Sequence, residues 1–202
     1  MTIVAVVRPG WTDFDEQHRL IGSLDLPLNA RGQSQLTALI ERLQASLKSP
    51  EAIVCGTAQP AKGTAEAIGE AFGLTVRDSE ELINLNLGLW QGSTVEDVGR
   101  RMSRIFRQWQ EAPETICPSE GEPLEAAVAR VQRALKKPLR KLDSLIVVAS
   151  EPLASLVSSL LTGEPPDLTA AFSEELTCPT VEVLESSRDC EFVRQLEPDE
   201  TT

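Results

Sequence analysis

The sequence predicts an α/β fold in which helices cover both faces of a mostly parallel β-sheet. Three short apolar runs rich in β-branched residues, TIVAVVR, EAIVCGT and SLIVVAS, are typical of strands buried on both faces. Segments with apolar residues at helical spacing follow these runs. Because strands that alternate with helices favour a sheet between two helical layers, the predicted class is a three-layer αβα sandwich.

The first half of the chain supplies three of the predicted strands. Asn29 is a suitable N-cap for the helix that follows it, and Gly73 is a suitable C-terminal stop for the next helix. The predicted elements are strands at 2–8, 51–57 and 74–79, with helices at 30–47 and 61–73.

The second half begins with a long amphipathic segment that carries a basic cluster of Arg100, Arg101, Arg104 and Arg107. We expect Pro138 to bend or end a later helix, because proline lacks the N–H that a helix interior needs. The predicted elements are helices at 93–112, 123–142 and 152–163, a strand at 144–150 and a hairpin at 180–197.

We expect one domain over residues 1–197, with a helical insertion at 93–121 and an acidic tail at 198–202. The length of 202 residues suits a single buried core. The net charge of -12 repels phosphodiester backbones and anionic membranes, so neither nucleic acid nor a membrane is an expected partner. Four cysteines without a CxxC pair predict reduced thiols and a cytoplasmic location.

Three loops are expected to meet at one edge of the sheet. They follow the strands that end at Arg8, at Cys55 and before Ser150. In open parallel sheets the ligand site lies at the carboxyl ends of the strands. The sequence therefore predicts that a site forms where these loops converge.

Two long motifs resemble those of the histidine phosphatase superfamily, in its phosphoglycerate-mutase-like branch. The first motif is RPGWTDFD followed by RLIGSLDLPLNARG, and the second is LINLNLGLWQG. The resemblance covers nearly the whole chain and implies the phosphoglycerate-mutase-like version of the αβα fold. The positions in register are Arg8, Gly10, Thr12, Arg19, Gly22, Asp25, Pro27, Leu28, Gly32, Thr64, Ala65, Glu66, Gly88, Trp90 and Gly92.

The same alignment of motifs implies different residues at the positions that carry the family's chemistry. Proline stands at the position of the nucleophilic histidine and serine at that of the second histidine. The only histidine of the chain, His18, matches neither position. The replaced positions are Pro9 and Ser150 for the two histidines, Asp15 for a phosphate-binding asparagine, Pro60 for a second arginine and Asn84 for the acid–base glutamate.

These differences predict a catalytically inactive protein, not an enzyme, with a binding, scaffolding or regulatory role and no cofactor or metal. Pro9 offers no nucleophile, and Asn84 cannot exchange a proton at neutral pH. Two alternatives stay open. One is a weak or mechanistically altered phosphatase or mutase acting on a phosphorylated small molecule, and the other is an anion-sensing domain.

The predicted binding site is a vestigial phosphate pocket of Arg8, Asp15, Arg19, Asn84 and Ser150. We expect the Asp15 carboxylate to occupy the place of the lost ligand and to pair with Arg8, since an unpaired buried guanidinium is strongly unfavourable. Arg19 either holds an anionic ligand or is a solvated surface residue.

Two features bear on whether the chain binds a protein partner. Trp11 either plugs the pocket opening or faces a protein partner, and the basic cluster either is a solvated face or docks an acidic surface. A serine–base pair of Ser150 and Glu151 is disfavoured, because adjacent residues rarely point to one place and Pro152 follows.

Overall fold

A computed structural model describes residues 1–112, 115–169 and 179–186. Its sheet has five strands in the order β3-β2-β4-β1-β5. Strands β1 to β4 run parallel to one another, and β5 runs antiparallel to β1. The strands are β1 Thr2–Val7, β2 Ala52–Gly56, β3 Val76–Ser79, β4 Ser144–Val148 and β5 Val181–Ser186. The predicted α/β class with a mostly parallel sheet is confirmed.

Seven α-helices lie in the described ranges. The Asn29 side chain caps the second of them by accepting the Gly32 N–H at 2.8 Å, and Gly73 ends the third with a φ of 66°. Both assignments were predicted. The helices are α1 Asp13–Glu16, α2 Ala30–Ser46, α3 Ala61–Phe72, α4 Val95–Arg101, α5 Ser103–Glu111, α6 Leu124–Lys141 and α7 Leu153–Thr162.

The buried strands divide their side chains between two cores. Ala5 and Val7 of β1 pack with α2 and α3, whereas Val4 and Val6 pack with α6 and α7. This alternation follows from the two-residue period of a strand. Both faces of the sheet are therefore covered, as the continuous apolar strands predicted.

The predicted helix at 93–112 is two helices, α4 and α5, separated at Met102. Met102 has φ −128° and ψ 39°, outside the helical region. The Trp90 indole N–H points to the Met102 sulfur at 3.1 Å, and the Phe106 and Trp109 rings pack edge-on to Trp90. Packing around Trp90 accompanies a break that the helical spacing alone does not reveal.

Pro138 does not end its helix, because α6 continues to Lys141. The proline lies in the last turn of α6, where its carbonyl still accepts the Leu142 N–H at 3.0 Å. The missing N–H of Pro138 removes one hydrogen bond from the helix, and the bonds on either side of it persist.

The end of the predicted hairpin and the acidic tail lie outside the described residues. The first hairpin strand is β5, whose register with β1 runs from Val181 opposite Val7 to Ser186 opposite Thr2. No helix in the described ranges has both the length and the apolarity that a membrane crossing requires. The single domain of 1–197 with an insertion at 93–121 stays a prediction.

Candidate functional site

The carboxyl ends of β2 and β4 border a narrow cleft of about 10 Å³. A hypothetical Cβ on Gly56, the last residue of β2, would lie 2.5 Å from the Leu82 carbonyl oxygen, so only glycine fits there. The cleft is lined by Gly22, Ser23, Leu24, Gly56, Ala58, Gln59, Ala61, Leu82, Ile83, Asn84 and Ser150. The loops after β2 and β4 converge as predicted.

Arg8, directly after β1, binds Glu151 of the loop after β4. The Arg8 Nε donates to Glu151 Oε1, and the two side chains are only 17% and 10% exposed. Arg8 Nη1 donates to Thr180 Oγ1 at 3.3 Å and lies 3.6 Å from Glu182 Oε2. The loop after β1 therefore meets the loop after β4, and two carboxylates oppose one guanidinium.

Asn84 fixes the backbone of the loop that carries Glu151. Its Nδ2 donates to the Glu151 carbonyl oxygen at 2.7 Å, and its Oδ1 accepts the Leu153 N–H at 3.2 Å. The second carboxylate oxygen of Glu151 accepts the Ser155 N–H at 3.1 Å. Three of the predicted site residues, Arg8, Asn84 and Ser150, are thus brought together around Glu151.

Asp15 does not pair with Arg8, so that prediction is wrong. The Asp15 Oδ2 accepts the Thr12 backbone N–H at 2.6 Å and the Thr12 hydroxyl at 2.7 Å, as the reciprocal cap of α1. Burial raises the pKa of Asp15 above its usual value, although the hydrogen bonds from Thr12 oppose this shift. Asp15 serves the local turn, and Glu151 neutralises Arg8 instead.

Arg19 is bound to elements other than those that hold Arg8. Its Nε donates to Gln17 Oε1 at 2.9 Å, and its Nη1 donates to the Gly92 carbonyl oxygen at 2.6 Å. The guanidinium also lies over the Phe14 ring at 5.9 Å. These contacts are exposed and tie α1 to the loop before α4, which favours the surface role that the sequence left open.

Trp11 is buried rather than presented to a partner. Its side chain is 9% exposed, and the Arg31 guanidinium lies 3.7 Å from the centre of its ring. A cation above an indole face in this way gives a favourable electrostatic contact. The alternative in which Trp11 faces a protein partner is therefore wrong.

Sequence reasoning missed Arg130, which holds the loop that contains Asn84. Arg130 Nε and Nη2 bind the Glu122 carboxylate at 2.6 and 2.8 Å. Its Nη1 donates to the carbonyl oxygens of Glu81 at 2.8 Å and Ile83 at 2.6 Å. A helical arginine gives no sequence signal for such a role, because two of its acceptors are backbone carbonyl oxygens nearly fifty residues away.

Sequence reasoning also missed Glu151 as the partner of Arg8. A signal was present, since the loops after β1 and β4 were expected to converge and Glu151 is the acidic residue of the latter. The resemblance directed attention to Asp15 instead.

Asn84 and Ser150 line the cleft, and the carboxylate of the next residue, Glu151, is bound to Arg8 and to the Ser155 N–H. Position 9 is proline and supplies no nucleophilic side chain. The one imidazole of the chain, that of His18, is exposed on a residue with a φ of 51°. Within the described ranges, no three His, Cys, Asp or Glu side chains are grouped to hold a metal ion.

The chain belongs to the histidine phosphatase superfamily (branch 1), whose family model matches residues 4–195. Phosphoserine phosphatase 1 of Hydrogenobacter thermophilus is 28% identical over 164 residues, which are 80% of this chain and 77% of that protein. Glucosyl-3-phosphoglycerate phosphatase of Mycobacterium tuberculosis is 31% identical over 149 residues, which are 74% of this chain and 61% of that protein.

A solved structure confirms the fold. A mycobacterial glucosyl-3-phosphoglycerate phosphatase in complex with VO3 superposes with a TM-score of 0.75 at 24% identity, covering 93% of this chain and all of that chain. The resemblance to the histidine phosphatase superfamily and to its αβα fold is therefore confirmed.

The names of these relatives contradict our prediction that the chain is not an enzyme. Two relatives that match about three quarters or more of the chain are named phosphatases. Membership of this family therefore points to an enzyme. The residues at positions 9, 84 and 150 do not outweigh the activity that the names of these relatives specify.

Proposed function

We propose that the chain is a mechanistically altered phosphatase that hydrolyses a phosphorylated small molecule slowly. The observation that carries the proposal is the match of 74–80% of the chain to relatives whose names specify phosphatases. In this fold the phosphoryl group would bind at the loops that follow β1, β2 and β4, and these loops must separate to admit it, because the cleft of about 10 Å³ holds about one water molecule.

Water is the nucleophile in the proposed reaction. Pro9 cannot form a covalent phosphoryl intermediate, and His18 lies at neither family histidine position. The water oxygen forms a bond to phosphorus as the bond to the ester oxygen breaks. The Glu151 carboxylate takes a proton from the attacking water and later releases it to solvent, while a solvent water gives a proton to the leaving alkoxide on the opposite side, so the products are an alcohol and inorganic phosphate.

Electrostatics explain why turnover would be slow. A phosphoryl transition state needs positive charge or N–H groups near its oxygens. Arg8 is the cation at the end of β1, and it is bound to Glu151 and lies 3.6 Å from Glu182. The substrate must therefore compete with two carboxylates for one guanidinium.

Two matched variants test this mechanism. Glu151→Gln and Glu182→Gln each remove one negative charge from Arg8, so both should lower KM. Only Glu151→Gln removes the base, so it should also lower kcat by about 10²-fold or more. The assay follows release of phosphate from phosphoserine, glucosyl-3-phosphoglycerate and p-nitrophenyl phosphate.

A third variant, His18→Ala, distinguishes the water route from a relocated phosphohistidine. It should retain the wild-type kcat, because His18 takes no part in the proposed step. Loss of turnover in His18→Ala, or equal kcat in the two glutamine variants, would overturn the mechanism. Turnover absent with all three substrates, together with thermal stabilisation by them, would favour the anion-sensing alternative.

A further inference from the structure

We propose that a second site, separate from the proposed reaction, binds an extended acidic segment of a partner protein along the edge of the sheet. The site is a groove of about 650 Å³ between β3 and the C-terminal half of α6. We call it the edge groove, and it is lined by Val54, Arg77, Asp78, Ser79, Glu81, Leu82, Arg133, Ala134, Lys137, Pro138, Lys141 and Leu142.

The first observation is the free edge of β3. This strand is the outermost of the sheet on that side, and β2 is its one strand partner in the part of the chain that the structure describes. An edge strand presents backbone N–H and C=O groups that can pair with a further strand. The four residues of β3 give such a strand a short template.

The second observation is the charge along the groove. Its two acidic residues already have cationic partners, because Asp78 binds Lys62 at 2.7 Å and Glu81 binds Arg133 at 2.7 Å. Arg77, Lys137 and Lys141 are exposed and have no ion pair within the described ranges. Three cations therefore remain without a neutralising partner.

The geometry places these cations on one side of the sheet. Arg77 lies beside Val54 in the β2–β3 register, and Val54 belongs to the core that α6 covers. Lys137 and Lys141 are four residues apart on α6, so they share one helix face. Arg77 thus faces the α6 lysines across an apolar floor that includes Leu82, Pro138 and Leu142.

These features specify the occupant. In a strand added to β3, the side chains at every second position point to the α6 side, so acidic residues there would reach the cations, and the apolar residues between them would lie on the opposite face. Arg133 and Lys141 are eight positions apart on α6, a rise of about 12 Å, which equals about four residues of an extended chain. On a protein with a net charge of -12, a basic groove is the surface that attracts an acidic segment.

The probe is a fluorescein-labelled peptide, Glu-Val-Glu-Val-Glu-Val-Glu, followed by fluorescence anisotropy with the full chain. We expect saturable binding that weakens at least tenfold in Lys137→Glu. Lys48→Glu is the matched control, because Lys48 is also exposed but follows α2 and does not line the groove. Circular dichroism checks that both variants are folded.

Two further arms identify the mode of binding. The same peptide with every inner backbone nitrogen methylated keeps its charge but has no N–H edge that can pair with β3, so it should bind at least tenfold more weakly. Competition by tripolyphosphate at the peptide's own concentration would instead indicate a small-anion site and overturn the proposal. Absence of peptide binding at millimolar protein, an equal effect of the two lysine variants, or self-association that Lys137→Glu abolishes would also overturn it.

Discussion

The guanidinium of Arg8 is bound by the carboxylate of Glu151, a residue 143 positions further along the chain. This pair joins the carboxyl end of β1 to the loop after β4, and both side chains are largely buried. Glu151 is itself positioned by Asn84 and by the Ser155 N–H. The charge balance of the candidate site is therefore set by an internal pair.

A double-mutant cycle should reveal the strength of this pair. Arg8→Met and Glu151→Gln each leave one charge without its main partner, so each should destabilise the protein by about 3 kcal/mol. The double variant should cost less than the sum, with a coupling energy of about 2 kcal/mol. Urea unfolding of the four proteins measures both quantities, and strictly additive effects would contradict the pairing.

The sequence was sufficient to predict the parallel sheet, because strands buried on both faces are continuous apolar runs. The carboxyl ends of such strands lie at one edge of the sheet. The sequence also predicted that the loops after β1 and β4 meet. It did not predict which acidic residue binds Arg8, because that choice depends on a local competition. Asp15 lies three residues after Thr12, and this spacing lets it form the reciprocal cap of α1.

The break between α4 and α5 shows a different limit. The amphipathic pattern continues across Met102, so spacing predicts one helix. The break accompanies tertiary contacts, in which the Trp90 indole packs against the Met102 sulfur and the Phe106 ring. Such contacts join distant parts of the chain and leave no periodic signal. Arg130 was missed for the same reason.

Asn84 should contribute more to stability than its neighbour Asn86. Asn84→Ala removes hydrogen bonds to the Glu151 carbonyl and to the N–H groups of Leu85 and Leu153. We expect a loss of about 2 kcal/mol, because these groups are partly buried. Asn86→Ala removes a long, exposed bond to the Glu120 carbonyl and one partly buried bond from the Gly88 N–H, so it should cost about 1 kcal/mol.

Thermal and urea unfolding of the two variants provide the measurement. Asn84→Ala should also change the position of Glu151. The kcat of this variant on the phosphate esters should therefore fall, while the kcat of Asn86→Ala stays unchanged. Equal loss of stability in both variants would show that the Glu151 loop is held by other contacts.

Arg130 and Arg133 lie three residues apart on α6 and form a matched pair of tests. Arg130→Lys loses the planar fork that holds Glu122 and several carbonyl oxygens, so it should cost about 3 kcal/mol. Arg133→Lys alters an ion pair to Glu81 whose arginine is 60% exposed, and should cost less than about 0.5 kcal/mol. Equal unfolding midpoints would contradict the role of Arg130 as a clamp.

The two described cysteines should differ sharply in reactivity. Cys55 is buried at the end of β2, where burial, with a smaller contribution from Asp78, raises the pKa of its thiol to about 12. The thiolate is the reactive form, so Cys55 should resist iodoacetamide at pH 8 in the native protein. Cys117 is exposed and should react. Peptide mass mapping before and after denaturation in urea measures both, and rapid labelling of native Cys55 would contradict its burial.

The raised pKa of Asp15 should make the stability of the protein depend on pH. Between the ordinary aspartate value and the raised native pKa, the native state binds more protons than the unfolded chain. Stability contributed by this carboxyl therefore falls as pH rises through that window. At neutral pH the protein bears the full free-energy cost of burying the charged Asp15 carboxylate. This cost disappears below the ordinary pKa of an aspartate.

Asp15→Asn removes this charge but keeps an oxygen that can accept the Thr12 N–H. The variant should therefore be more stable than the wild type at pH 7, and its advantage should shrink as the pH approaches 4. Asp13→Asn, in the same turn but exposed, is the control and should gain no stability at pH 7. Unfolding midpoints in urea across this pH range measure the difference. An advantage that is constant with pH would mean that burial of the charge is not its cause.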